Sequence, residues 1–140
     1  MIIRMDSPDA IAKIKKAMAD QTKGVSRAVL RVAERGKRII QKRIQTGKSY
    51  TGADFAPYSE AYAKERKKRG RQVSRVDLND TGRMLAAMQT RKAGTRAAQI
   101  FFVGGQENKK AYFNNKLRPF FGFSGTETNK LTDTFLKGFR

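Results

Sequence analysis

Between Val25 and Ile44 the residues Val25, Ala28, Val29, Val32, Gly36, Ile39, Ile40 and Ile44 recur at spacings of three and four, and Arg27, Arg31, Arg35, Lys37, Arg38 and Lys42 fall mostly between them. That is the period of a long amphipathic helix, ended near Thr46-Gly47. Such a helix is held by packing of its apolar face, so the remaining chain must supply a cover. With 140 residues the chain is expected to form one domain, residues 1–140, of about 14 Å radius of gyration. Gly36 inside the apolar face costs about 1 kcal/mol relative to Ala, which points to a close crossing there by another element.

Upstream, Ser7-Pro8-Asp9 reads as a helix start, and Ala10, Ile11, Ile14, Ala17 and Met18 share one face. Gly24 leaves open whether residues 1–47 hold two helices or one kinked rod. Tyr50, Phe55 and Tyr58 are aromatic anchors in a segment turned by Gly52, Asp54 and Pro57. Ser59 caps a short helix that runs into a basic stretch and stops by Gly70, so residues 59–75 form a basic helix and loop. Asp80 reads as the cap of a helix of about three turns through Met84, Leu85 and Met88. Gln89 to Lys92 and Ala97 to Val103 flank Ala93-Gly94-Thr95-Arg96 as a β-hairpin, bounded by Gly104-Gly105. Asn108 to Leu117 reads as short helix or loop with Tyr112 and Phe113 packed. Arg118-Pro119-Phe120-Phe121 is extended around its proline, its two Phe side chains clamping the last helix to the sheet. Residues 80–123 thus form a helix and hairpin core. Ser124 with Glu127 makes a capping-box signature for a final helix over 124–140, striped by Leu131, Phe135, Leu136 and Phe139. The expected class is α+β: long N-terminal helices packed on a small antiparallel β-sheet, with a C-terminal helix.

Charge narrows the function. The chain has 31 Lys+Arg, 12 Asp+Glu and a net charge of +19, and it contains neither His nor Cys. So large an excess calls for anionic company. It is spread along the chain: residues 1–48 carry 13 basic and 4 acidic side chains, and each later stretch also carries an excess. The one dense tract is Lys64, Arg66, Lys67, Lys68, Arg69, Arg71 and Arg75, with Glu65 its only acid. These seven are the candidate contacts to a partner or to phosphates. The absence of His and Cys excludes thiolate or imidazole metal sites and the usual catalytic triads. Asp77 and Asp80 are close in sequence, but a cap accounts for Asp80. The glycines fit no phosphate loop, and no apolar run approaches a membrane span. No catalytic residue, cofactor or metal ligand is expected, and the chain reads as a non-enzyme. Phe101 and Phe102, being adjacent, point to opposite faces, which a core strand explains as well as a base-stacking platform does.

Several segments, in order, resemble the phage virion morphogenesis family, the tail-completion or neck proteins of Mu-like and related tailed phages. Thr51-Gly52-Ala53-Asp54-Phe55-Ala56-Pro57-Tyr58-Ser59 followed by Tyr62, Lys64 and Lys67 resembles its glycine, aromatic and proline stretch before a basic helix. Leu78-Asn79-Asp80-Thr81-Gly82-Arg83-Met84 resembles its aspartate-threonine-glycine signature. Phe102-Val103-Gly104, then Ala111-Tyr112, then Arg118-Pro119-Phe120-Phe121-Gly122-Phe123-Ser124 resembles its strand, short helix and arginine-proline-phenylalanine turn. The chain departs from the family at Phe55, where Trp is frequent, and at Tyr112-Phe113-Asn114-Asn115. The structural motif residues are then Phe55, Pro57, Asp80, Thr81, Gly82, Arg118, Pro119 and Phe120, with Gly82 letting another backbone approach closely.

The resemblance implies a homo-oligomeric ring, hexamer or dodecamer, made in the host cytoplasm and built into the virion neck or tail. Its implied neighbours are head-closure or connector proteins and tail-terminator or tail-tube proteins, with DNA passing transiently through the channel. Six copies would carry six times +19. A duplex with one charge per 1.7 Å supplies roughly 24 over a lumen of some 40 Å. Most basic residues are therefore expected to face acidic protein surfaces or solvent. The rival reading is a basic module that grips nucleic-acid phosphates without sequence preference.

Overall fold

The computed structural model describes the backbone of residues 2–4 and 8–138 and the side chains of residues 24–138. Helix α1, Pro8–Gln45, runs unbroken through Gly24, so these residues form one rod. It begins at Pro8, a position where a missing N–H costs nothing. The proposed cap Ser7, the face from Ala10 to Met18, and Phe139 lie outside the described side chains. Helix α1 stops where Gly47 turns at φ +72°, and a Cβ there would come within 3.2 Å of the Val76 carbonyl oxygen. After it come α2 (Glu60–Lys68), the single turn α3 (Arg83–Ala86), α4 (Gly105–Leu117) and α5 (Gly125–Lys137).

The sheet has three antiparallel strands in the order β1-β3-β2, with β1 at Ile2–Arg4, β2 at Met88–Lys92 and β3 at Ala97–Phe102. The hairpin has the expected four-residue connection, closed by Ala93 N–H donating to the Ala97 carbonyl at 2.9 Å. Strand β1 is not foreshadowed, because three residues are too few to show an alternation. One sheet face and α5 both pack on α1. Val25, Val29, Val32, Ile40 and Ile44 meet Met88, Ala98, Ile100, Phe120 and Phe135 in one buried cluster. Gly36 is buried on the same α1 face as Val32, Ala33 and Ile40. The α+β class and the closing helix are as the periodicities predict.

Two local expectations fail. The helix expected from Asp80 is only α3, capped by Gly82 in a left-handed conformation with no side-chain cap. It cannot lengthen, because Met88 already belongs to β2. Asp80 is therefore not a cap; its carboxylate accepts from Arg69 Nη1 at 2.8 and 3.0 Å. Gly82 serves its φ of +77° rather than a close approach, since a Cβ there would meet only Asn79 Oδ1 at 3.7 Å. In the second case, 108–117 belongs to a regular helix, but Tyr112 and Phe113 are 58% and 65% exposed, not packed. The α4 residue that does enter the core is Ala111.

The last helix is tied down by Leu131 and Phe135 in the core and, at its start, by Arg43, which sequence reading passed over. Its Nη1 donates to both Glu127 carboxylate oxygens at 2.6 Å, and its Nη2 donates to the carbonyls of Phe120 at 2.7 Å and Gly122 at 2.9 Å. Glu127 also accepts from Ser124 N–H, completing the expected capping box of α5. Phe120 and Phe121 both pack on Phe102 of β3, which forms the sheet side of the expected clamp.

Candidate functional site

Two stretches far apart in sequence, residues 58–66 and Arg118, meet at the ring of Tyr58. Ser59 Oγ accepts from Tyr62 N–H and starts α2, so Tyr62 and Arg66, four residues apart, project from one side of the helix. The Tyr62 ring meets Tyr58 edge-on at 5.1 Å. The Arg66 guanidinium lies 4.7 Å from the centre of the Tyr58 ring, and that of Arg118 lies 5.3 Å from it.

Arg66 is 1% exposed. A buried guanidinium needs its donors filled, and here they are: Nε and Nη2 donate to the Gln72 carbonyl, Nη1 to that of Asn79, and Nη2 to Asp77 Oδ1 at 3.3 Å. Arg118 is 8% exposed, and donates from Nε to the Ala56 carbonyl at 2.7 Å and from Nη2 to the Pro57 carbonyl at 3.0 Å. Burial pushes its pKa down, opposed by Tyr58 and Tyr62. Burial likewise pushes the Tyr58 hydroxyl above its ordinary value; Arg66 opposes this and Asp77 adds to it.

Around this Arg–Tyr–Arg stack opens a cleft of about 740 Å³ between α2, the 78–84 turn and α4. It gathers the motif residues Pro57, Asp80, Thr81, Gly82 and Arg118, together with Leu78, Met84, Glu107 and Leu117. Phe55 and Phe120 sit in the core instead, and Pro119 is exposed beside it. Thr81 Oγ1 accepts from Arg83 N–H at 3.4 Å. On the outer side of α4, Tyr112, Phe113 and Leu117 extend the apolar surface, Leu117 being 60% exposed.

The dense basic tract does not act as one surface. Arg66 is withdrawn into the interior, a correction that follows from its four carbonyl and carboxylate bonds. Arg69 is neutralised by Asp80, with Glu65 at 3.8 Å, and Arg71 lies 3.9 Å from the same Asp80. Arg75 donates from Nε to the Gln45 carbonyl at the end of α1. Lys64, Lys67 and Lys68 remain exposed. Tyr62 and Ala63, four and three residues before Arg66, were the available sign that this Arg faces inward. For Arg43 the sign was its place seven residues after the buried Gly36.

Asp77 and Asp80 serve different guanidinia, Arg66 and Arg69, so they do not form a carboxylate pair. Among the described residues no group of three acidic side chains is placed to hold a cation. No helix there is long and apolar enough to cross a membrane. No family model, curated protein or solved structure matches the chain.

Proposed function

We propose that the chain is a non-enzymatic structural subunit of a tailed-phage particle, a neck or tail-completion protein that works as a homo-oligomeric ring joining head to tail around the DNA channel. The observation that carries this reading is the outer face of α4. There Tyr112, Phe113 and Leu117 stand exposed, Leu117 at the edge of a cleft that collects the motif segments 57–59, 80–82 and 118, and Tyr112 beside a second hollow with Phe102, Phe120 and Phe121. Contiguous exposed aromatic and aliphatic side chains of this kind mark protein contacts. The two buried guanidinia at the cleft are committed, Arg66 to the Gln72 and Asn79 carbonyls and to Asp77, and Arg118 to the Ala56 and Pro57 carbonyls, which suits a rigid docking surface better than proton transfer. A neighbouring copy is the occupant this reading assigns to the α4 face, with connector and tail proteins above and below the ring.

Deletion of the coding sequence from the phage or prophage that carries it tests the reading. Electron micrographs of lysates should show DNA-filled heads and separate tails, restored to whole particles by complementation. Whole particles without the gene would contradict it.

A further inference from the structure

In the described part of α1, the exposed positions from Arg27 to Lys42 are Arg27, Arg31, Arg35, Arg38 and Lys42, and every one is a base. Their spacings of four, four, three and four place them on one line along the rod, about 22 Å from end to end. None of the five takes part in a salt bridge among the described residues. The single acid of this stretch, Glu34, lies off the line. It is held below the usual carboxylate range first by a hydrogen bond from Thr90 and then by Lys37 and Arg38. Beside the line, Lys130 and Lys137 of α5 flank Arg35 across a shallow hollow that also contains Asp133.

We propose that this stripe is a sequence-independent binding surface for the phosphate backbone of duplex DNA. Its chemistry separates it from the other polyanion surfaces. No apolar residue lies among the five, so it lacks the desolvated centre of a protein interface. No aromatic ring is there to stack on an unpaired base, which disfavours single strands. The apolar face of α1 from Val25 to Ile44 is already spent in the core, so this part of the helix has no apolar side to lay in a lipid surface. What remains is a straight row of guanidinium and ammonium groups, able to neutralise phosphates over roughly 6–7 base pairs without reading sequence. The stripe needs only the single subunit, so it stands whether or not the ring reading does.

Fluorescence anisotropy of a labelled DNA duplex of about 20 base pairs, titrated with the full chain across a salt series, tests it. Five phosphate contacts give a slope near −4.5 in log K against log salt, so affinity should fall roughly 500-fold from 50 to 200 mM. Arg31→Gln with Arg35→Gln and Arg38→Gln should leave a slope near −1.8 and only about a 10-fold fall. The same positions changed to Lys should restore the original slope, which separates lost charge from lost folding. Lys92→Gln with Arg96→Gln and Lys109→Gln removes the same charge elsewhere and should leave the slope within about one unit of the parent. Two duplexes of unrelated sequence should bind alike. Equal loss in both Gln variants, an unchanged slope in the stripe variant, or a loss found instead with Lys64→Gln, Lys67→Gln and Lys68→Gln would overturn the proposal.

Discussion

Two buried guanidinia lie over the Tyr58 ring, and the two are held differently. Arg66 has a carboxylate partner in Asp77, whereas Arg118 donates to the backbone carbonyls of Ala56 and Pro57. Removing Arg66 takes the cation from the largely buried Asp77 and the donor from the Gln72 and Asn79 carbonyls, so Arg66→Ala should cost about 3–5 kcal/mol in urea unfolding. Lys68→Ala, two residues on, should stay within about 0.5 kcal/mol. Tyr58 also sets an alkaline limit. Its folded pKa is raised, so its contribution is complete below the ordinary value of 10.0 and is lost as pH rises through the folded value. Stability should therefore decline above pH 10, and Tyr58→Phe should lessen that decline.

At the scale of elements, α5 depends on Glu127 for two separate jobs. Ser124→Ala removes one side of the capping box and should cost about 1 kcal/mol. Glu127→Ala also strips the carboxylate from the largely buried Arg43 and should cost about 3 kcal/mol or more by calorimetry. Gly122 is the tightest glycine: a Cβ there would lie 2.6 Å from the Tyr50 ring, so Gly122→Ala should cost about 1–3 kcal/mol through displacement of that ring. These elements also show what a sequence reveals. The long period of α1, the hairpin around Gly94 and the box at Ser124 were legible because each is a local pattern. The single-turn α3 was misread because Asp80 has the look of a cap, while its acid is taken by Arg69, eleven residues away. The inward turn of Arg66 was hidden for a similar reason: a dense run of bases reads as surface unless the positions of Tyr62 and Ala63 are weighed. Arg43 and strand β1 depend on partners 77 or more residues distant, which no local window contains.

For the whole molecule, the structure redistributes the +19 charge. The tract that is densest in sequence is partly buried and partly self-neutralised, whereas the stripe of α1, evenly spaced and inconspicuous as text, is open along its length. The α4 face with Tyr112, Phe113 and Leu117 and this stripe are two exposed surfaces of opposite character, one apolar, which we propose takes a neighbouring copy, and one cationic, which we propose takes a polyanion. Phe113→Asp with Leu117→Asp changes only exposed side chains, so it should shift the unfolding free energy by no more than about 0.5 kcal/mol each. The same double variant should fail to restore joined particles. The most direct test of the particle role is cryo-electron microscopy of purified particles from the replicon that encodes the chain. The account predicts a ring at the head–tail junction into whose repeating density α1, the three-stranded sheet and α5 fit; purified particles that lack the protein altogether would contradict it.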